Sequence, residues 1–214
     1  MGKQIASIHI IDYSLAFVDS QLKQLKVKYC DHFFNNKMSN IDSNILSDEE
    51  IMHLVSFIKM FHNKNGRKKR FFELLHEGNV SVFSDYLNYS NVFDISKSVF
   101  GESNKKVVAC CGFDDDFYIA KSFCEGNEIA SIGIGDMIEE VFLLNPKNDL
   151  FAFSEVVSCN ASIMDQIDKL LKANDISANV LSDLLSLATG LPLDWSLEDL
   201  LENKSNIHTI SVLV

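Results

Sequence analysis

Residues 107–134 read VVACCGFDDDFYIAKSFCEGNEIASIGI, and this stretch decides the fold class of the chain. Three runs within it are rich in apolar and β-branched residues: Val107–Phe113, Phe117–Cys124 and Glu128–Ile134. The triplets that separate these runs, Asp114-Asp115-Asp116 and Glu125-Gly126-Asn127, consist of residues that favour turns. Strand-forming runs joined by such short turns predict an antiparallel β-meander.

Helical patterns flank the meander on both sides. The spacing of apolar and capping residues predicts four helical segments, which are Asp48–His62, Asn160–Ala173, Ala178–Thr189 and the short Ser196–Glu202. We also predict a helix at Arg70–His76, with Gly78 as its C-cap, and another at Val80–Tyr89. The chain therefore combines a β-rich centre with several helices.

The two ends of the chain carry strand-like segments. Gln4–Ile11 and His208–Val214 are suited to strands, whereas Ala16–Tyr29 is compatible with a strand or a helix. Together the segments predict an α+β fold with one antiparallel sheet, the meander of about residues 107–134 at its centre and helices packed on one face. We expect a single domain over residues 1–214, with residues 104–106 as the point where it would subdivide.

Composition is typical of packed intracellular proteins. The chain has 214 residues, 47% of them hydrophobic, with 16 Phe but only 9 Gly and 2 Pro, a balance that favours a buried core over disorder. No apolar run reaches the ~18 residues of a membrane span, and the N-terminus lacks the apolar stretch of a signal peptide. The 5 cysteines are therefore expected to be reduced thiols in a cytoplasmic protein.

Charge is divided unequally along the chain. Residues 1–106 carry a net charge of +2 and residues 107–214 a net charge of −13, which gives the overall −11. A one-sided acidic surface steers basic partners and repels nucleic acid and anionic lipid. Residues 107–203 contain four lysines and no arginine, whereas a surface that serves solubility alone would mix both signs. We therefore expect a basic protein partner, no nucleic acid and no membrane.

The Asp114-Asp115-Asp116 triplet allows two interpretations. An Asp-x-Asp pair after an apolar strand can bind Mg²⁺ or Mn²⁺ through its oxygens, as in sugar-nucleotide transferases. The other interpretation is a turn, since Asp bonds its own backbone and successive side chains of extended chain diverge. We favour the turn and predict no catalytic residue, no metal ligand and no cofactor. Gly133-Ile134-Gly135 is too short to indicate a dinucleotide-binding loop.

A basic run follows the first predicted helix and comprises Lys64, Arg67, Lys68, Lys69 and Arg70. Such cations complement the dipole at a helix C-terminus, and they could also contact phosphates. Because no aromatic stacking platform accompanies them, we interpret the run as a solvated loop.

The second half of the chain resembles a known group of proteins. Phe113-Asp114-Asp115-Asp116-Phe117, a strand, Glu125-Gly126-Asn127 and another strand are similar to the acidic-turn meander of some bacterial polymorphic-toxin immunity proteins. Thr189-Gly190-Leu191-Pro192 followed by Ser196-Leu197-Glu198-Asp199-Leu200 is similar to their C-terminal pattern. The nearest group is the contact-dependent-inhibition immunity proteins. The resemblance implies a small, acidic, cytoplasmic and non-enzymatic protein that binds a cognate toxin, often a basic nuclease.

These observations predict an immunity or inhibitor protein that neutralises a basic toxin domain by stoichiometric binding. Carboxylates on one face would imitate phosphates and speed the encounter, while exposed aromatic residues would anchor the contact. The expected partner-binding residues are Asp114, Asp115, Asp116, Tyr118, Glu125, Glu128, Trp195, Glu198, Asp199 and Glu202. For Trp195 a place in the hydrophobic core is an equal alternative.

Two other functions stay open at this point. A metal-dependent enzyme acting on nucleotides or sugar nucleotides would use Asp114 and Asp116 as its ligands. An accessory or regulatory protein of a mobile element would instead dimerise through its helices. Divalent-cation binding would separate the first of these from a toxin inhibitor.

Overall fold

The computed structural model describes residues 3–25, 68–89, 91–100, 105–135, 146–203 and 207–213. These residues form seven β-strands, which are β1 Gln4–Ile10, β2 Lys68–His76, β3 Asn79–Ser84, β4 Lys106–Phe113, β5 Phe117–Cys124, β6 Asn127–Ile134 and β7 Ile207–Leu213. They also form six α-helices, which are α1 Leu15–Lys23, α2 Val92–Phe100, α3 Leu150–Val156, α4 Ala161–Ala173, α5 Ala178–Thr189 and α6 Leu197–Asn203.

The strands join one antiparallel sheet in the order β6-β5-β4-β1-β3-β2-β7. The predicted meander is confirmed as β4, β5 and β6, with Phe113 opposite Phe117 beside its first turn. It forms one side of the sheet, so our placement of it at the centre is wrong. The central strand is β1, which pairs with β3 on one side and with β4 on the other.

Helices cover both faces of the sheet. On one face, Ile8 and Ile10 pack in a core with residues of α1 and α2. On the other face, Ile5 packs in a core with residues of α3, α4 and α5. Strand β4 is buried at every position from Val107 to Gly112, and a strand that is apolar on both faces needs cover on both. The α+β fold is thus confirmed, while the expectation of helices on a single face is wrong.

The segment from residue 68 to residue 84 is a β-hairpin, so the helices predicted at Arg70–His76 and Val80–Tyr89 are wrong. Neighbouring Phe71 and Phe72 enter cores on opposite faces of the sheet. A strand buried on both faces reads as a continuous apolar run, and periodicity alone does not separate such a run from a helix. The turn uses Glu77 and Gly78, both with positive φ (47° and 82°), as a two-residue hairpin loop requires.

Helices α4, α5 and α6 begin and end within one residue of their predicted bounds. The Asn160 side chain accepts from the amides of Ser162 and Ile163 at the start of α4. Ser177 caps α5, and Gly190 ends it in the left-handed conformation (φ 71°). The predicted strands at both ends of the chain are confirmed as β1 and β7.

Other segments differ from the predictions or lie outside the described residues. The undecided stretch after residue 16 contains α1, and neither α2 nor α3 was predicted. The helix predicted at Asp48–His62 lies outside the described residues, as do Lys64 and Arg67. Lys68–Arg70 belong to β2, so for these residues the solvated-loop interpretation is wrong.

In the described ranges, no helix combines the length and the apolar content needed to cross a membrane. Four of the cysteines lie in these ranges and are free thiols. Cys110 and Cys111, neighbours in β4, are buried on opposite faces of the sheet.

Candidate functional site

Lys3 joins two acidic segments that are far apart in the sequence. Its backbone nitrogen donates to Asp114 Oδ1 at 2.6 Å, and its carbonyl accepts from the Asp114 amide at 2.9 Å. The Lys3 Nζ lies 3.2 Å from Asp199 Oδ2. The β4–β5 turn and the start of α6 therefore meet at the beginning of β1.

Asp199 also completes the N-terminus of α6. Its Oδ2 accepts from the Ser196 amide and hydroxyl, both at 2.7 Å, while the Ser196 hydroxyl accepts from the Asp199 amide. Partial burial opposes ionisation, but these bonds and Lys3 hold the pKa of Asp199 below its usual value. Asp199 is thus a charged capping residue that also contacts Lys3.

The turn residue Asp115 reaches a third element. Its Oδ1 accepts a hydrogen bond from the Asn179 amide in the first turn of α5 at 3.1 Å. This bond lowers the pKa of Asp115, and the Ser177 hydroxyl adds to the effect. The meander turn is therefore fastened to the N-terminal end of α5 with its carboxylate charged.

Two more carboxylates border this group. Asp194 Oδ1 accepts from the Ser186 hydroxyl at 2.6 Å, which holds it against α5. Asp183 lies on the surface of α5, where the neighbouring protein removes part of its hydration and so raises the pKa of its carboxyl group. The charge of Asp194 raises this pKa further, and the charge of Lys3 lowers it. We name the whole surface the acidic end, and it consists of Asp114, Asp115, Asp116, Asp183, Asp194, Glu198 and Asp199 around Lys3. Glu202 lies one turn beyond Glu198 on α6, also exposed.

Glu125 and Glu128 lie elsewhere. Glu125 lies in the β5–β6 turn and Glu128 is the second residue of β6. Both are at the opposite end of the eight-residue strand β5 from Asp116, a separation of about 23 Å at ~3.3 Å per residue. Glu128 also forms an ion pair with Lys121, with 2.8 Å between Oε2 and Nζ. Glu125 and Glu128 are therefore not grouped with the Asp triplet, and their contact with a partner stays a prediction.

Neither predicted aromatic anchor is an exposed side chain. Tyr118 is 1% exposed, and its hydroxyl donates to the Leu193 carbonyl at 3.3 Å. Burial raises the pKa of this phenol well above its usual value. Trp195 is partly buried against a small core that contains Phe72, Phe83 and Leu200. The expected exposure of Tyr118 is wrong, whereas the partly buried Trp195 contacts a core and its role as a partner anchor stays a prediction.

Exposed apolar side chains occur on the same elements as the acidic end. Val180 and Leu187 are 44% and 68% exposed on α5, and Phe113, just before the Asp triplet, is 39% exposed. Val180, Asp183 and Leu187 share one helix face by their spacing. The sequence analysis missed them because α5 is apolar on two faces, and the buried face through Leu181 and Leu185 accounts for its periodicity.

No protein-family model matches this chain, and no curated protein or solved structure matches it either. The function is therefore interpreted from the sequence patterns and from the geometry of the described residues.

Gly133 and Gly135 have a packing role. A Cβ on Gly133 would lie 2.9 Å from the Tyr118 carbonyl oxygen. Gly135 has a φ of +124°, and a Cβ there would overlap the Asp116 carbonyl oxygen and lie 2.6 Å from Phe117 Cα. Close approach of the β5 backbone explains both glycines, without a nucleotide.

A separate cluster brings together Asp19 of α1, Glu73 of β2 and His208 of β7. The His208 Nε2 lies 3.5 Å from Asp19 Oδ1 and 4.0 Å from Glu73 Oε2. Glu73 and His208 are directly opposite in the β2–β7 pair, so their side chains share a face. In the described part of the chain this is the one group of three candidate metal ligands, and Asp114 and Asp116 are not in it.

Glu73 is the unusual member of this cluster. It is fully buried, and neither of its oxygens has a hydrogen-bond partner; the buried Asp19 Oδ1 lacks one too. Burial raises the pKa of Glu73 to about 8, the Asp19 carboxylate adds to the rise, and Lys23 opposes it. The sequence analysis missed this site because Glu73 was assigned to a helix and Asp19 to an undecided segment. A glutamate between Phe71-Phe72 and Leu74-Leu75 was the available signal.

A polar network lies inside the sheet next to the acidic end. His9 Nδ1 is 2.8 Å from the Ser81 hydroxyl, and Nε2 is 2.8 Å from the Ser7 hydroxyl. Cys110 Sγ lies 3.1 Å from Ser7 Oγ and donates to the Leu193 carbonyl at 3.4 Å. Burial lowers the pKa of His9 to about 3 and raises that of Cys110 to about 11. A neutral imidazole and a neutral thiol make this network a structural one.

Proposed function

We propose that the chain is an immunity or inhibitor protein that neutralises a basic toxin domain by binding it through the acidic end. The observation that carries this proposal is the convergence of carboxylates from the β4–β5 turn, α5 and α6 around Lys3. These residues come from distant parts of the sequence, and most of the chain's excess negative charge lies in residues 107–214.

Electrostatic complementarity supplies the mechanism. A cluster of carboxylates on one end attracts a basic surface over a Debye length of about 8 Å at physiological ionic strength. Such charges raise the association rate and exclude acidic partners more than they add to affinity. A nuclease presents its cations to phosphate groups, so the same cations would bind these carboxylates and its active site would be covered.

Apolar contacts would supply the affinity. Protein interfaces have an apolar centre and a polar rim, and Phe113, Val180 and Leu187 are exposed beside the acidic residues. Phe113 takes the anchoring role that we expected for Tyr118. The interface of this proposal therefore combines exposed apolar residues of α5 and of the end of β4 with the carboxylates of the acidic end.

The proposed role is non-enzymatic and cytoplasmic. Among the described residues, the buried imidazole of His9 and the buried thiol of Cys110 both have pKa values shifted toward their neutral forms, which suits neither a general base nor a nucleophile. The turn geometry does not support the metal site of the enzyme alternative. Asp114 Oδ1 already accepts a hydrogen bond from the Lys3 amide, and Asp115 Oδ1 accepts one from the Asn179 amide.

The test is a double charge reversal, Asp116→Lys with Glu198→Lys, at two exposed positions of the acidic end. The partner to test is a basic toxin domain encoded by a neighbouring gene, and association is followed by surface plasmon resonance at low and high salt. We expect the on-rate to fall at least about tenfold at low salt and the difference to shrink at high salt.

The matched control is Glu125→Lys with Glu155→Lys, which changes the net charge equally at the far end of the meander. The backbone carbonyl of Glu155 accepts a hydrogen bond from Lys106 Nζ. Lys106 is paired with Cys124, the residue before Glu125, so Glu155 lies at the same end of the meander as Glu125. Equal kinetics for the two double variants would refute the proposal, and so would a toxin that the unaltered chain neither binds nor neutralises in a growth assay.

A further inference from the structure

The cluster formed by Asp19, Glu73 and His208 poses a problem of charge. A buried carboxylate without a hydrogen-bond donor costs several kcal/mol unless a proton or a cation neutralises it. Glu73 is fully buried with both oxygens unpartnered, and the buried Asp19 Oδ1 is unpartnered as well. One oxygen of each carboxylate lies within 4.8 Å of the other and of an imidazole nitrogen of His208.

A single proton on Glu73 removes one charge but leaves one of the three oxygen atoms without a partner. Protonation of Glu73 would turn one of its oxygens into a donor to Asp19, and its other oxygen would still lack a partner. A protonated His208 could donate through Nε2 to only one of the two carboxylates at a time. A cation, in contrast, accepts lone pairs from both carboxylates and from a neutral imidazole together.

We propose that Asp19, Glu73 and His208 form a binding site for one divalent transition-metal ion, which fastens α1 to β2 and the edge strand β7. The three candidate ligand atoms lie within 4.8 Å of one another. Tetrahedral coordination at bond lengths of about 2.0–2.2 Å places ligand atoms about 3.3–3.6 Å apart. The 3.5 Å between His208 Nε2 and Asp19 Oδ1 fits this spacing, and the 4.0 Å to Glu73 Oε2 exceeds it by a few tenths of an ångström.

The ligand set indicates which ions bind. Imidazole suits Zn²⁺ and related transition metals, whereas Mg²⁺ and Ca²⁺ prefer oxygen ligands alone. Three protein ligands leave at least one coordination position, and the side chain of His208 is 48% exposed, so water can reach the ion from that side. Lys23, one turn after Asp19 on α1, is the charge that opposes a cation here.

The experiment is calorimetric titration of chelator-treated protein with ZnCl₂ and with MnCl₂, together with melting curves. We expect one ion per chain and a melting temperature raised by either ion, with no response to MgCl₂ at the same concentration. Mn²⁺ binds thiolates poorly, so the manganese titration excludes a site built on the free cysteines.

Two variants and two matched controls assign the site. Glu73→Gln and His208→Ala should each weaken metal binding at least about tenfold. Loss of a residue that only hydrogen-bonds a metal ligand already weakens binding about 10–100-fold, and loss of a ligand should cost no less. Glu77→Gln and His76→Ala, at exposed positions at the end of the same hairpin, should bind as the unaltered chain does. The side chain of His208 is half-exposed, so His208→Ala should fold. If Glu73→Gln does not fold, the loss of metal binding in His208→Ala tests the site alone.

The proposal is overturned if the unaltered chain binds neither ion more tightly than about 1 mM. It is equally overturned if Glu73→Gln and Glu77→Gln bind alike, which would leave Glu73 as a buried, protonated carboxyl group. Neither result bears on the acidic end, because the metal cluster contains none of its residues.

Discussion

The carboxylate of Asp115 accepts a hydrogen bond from the backbone nitrogen of Asn179, 3.1 Å away, and so ties the meander turn to the first turn of α5. The first amides of a helix have no partner within the helix. The N-cap residue Ser177 accepts a hydrogen bond from one of these amides, and Asp115, from a different part of the chain, accepts one from another. A negative charge at this place also interacts favourably with the helix dipole.

Removing this contact should destabilise the protein. We expect Asp115→Ala to lower the free energy of unfolding, because an amide in the first turn of α5 loses its hydrogen-bond partner. The neighbouring exposed Asp116→Ala should stay within about 0.5 kcal/mol of the unaltered protein. Urea denaturation measures both, and equal stability of the two variants would show that the Asp115 bond contributes nothing.

Gly135 and Gly78 should respond differently to substitution by alanine. Both have positive φ, but a Cβ on Gly135 would overlap the β5 backbone, whereas a Cβ on Gly78 meets nothing within 4 Å. Gly78→Ala should therefore cost about 1 kcal/mol, the backbone strain alone. Gly135→Ala should cost more than about 3 kcal/mol or prevent folding. Thermal denaturation compares them, and a Gly135→Ala protein as stable as Gly78→Ala would contradict the described packing.

Acidification should weaken the fold through His9. The pKa of this imidazole is about 3 in the folded state, against 6.5 in the unfolded chain, so the unfolded chain binds more protons between these values. The stability that neutral His9 confers is complete above pH 6.5 and is lost as pH falls toward 3, by up to about 1.4 kcal/mol per pH unit.

The measurement for His9 is urea denaturation at several pH values for the unaltered chain and for His9→Gln. The variant should be less stable at pH 7, because it loses the imidazole between Ser7 and Ser81, and its stability should depend less on pH. His76→Gln, at an exposed position, should keep the original profile. Parallel profiles for His9→Gln and the unaltered chain would exclude His9 as the source.

Glu73 should give the opposite pH dependence in metal-free buffer. Its pKa is raised from 4.5 to about 8 on folding, since burial and Asp19 disfavour its charge. The folded state then binds the extra proton, so this contribution to stability is complete below pH 4.5 and is lost as pH rises to 8. Lys23 opposes the shift, and His208 faces the same group from β7.

In the presence of a chelator, Glu73→Gln should therefore be more stable than the unaltered chain at pH 8 and similar to it near pH 4.5. Melting temperatures across this range test the prediction, with Glu77→Gln as the control. A difference between Glu73→Gln and the unaltered chain that stays constant with pH would contradict it.

Local signals predicted the parts of the fold that depend on local chemistry. The meander was predictable because its runs are separated by turn residues, and α4 and α5 because Asn160 begins the first helix and Gly190 ends the second. The hairpin from Lys68 to Ser84 was not, because burial on both faces removes the alternation that identifies a strand. The central position of β1 depends on pairing with distant strands, for which the sequence carries no local signal.

The candidate sites divide in the same way. The acidic residues were identified from composition, but their grouping depends on tertiary structure: Lys3 joins Asp114 to Asp199, and strand β5 separates Glu125 from both. The Glu73–His208 pair arises from the register of β2 and β7. Spacing within the sequence does not contain that register.

The central position of β1 has a consequence for synthesis of the protein. Strand β4, which pairs with β1 along its whole length, leaves the ribosome about a hundred residues after Ile8 and Ile10. At about 5–20 residues per second, β1 waits roughly 5–20 s for this partner. Throughout that time it presents unpaired backbone amides and apolar side chains, the combination that other chains can capture. Slower translation would lengthen the time during which β1 is open to such capture.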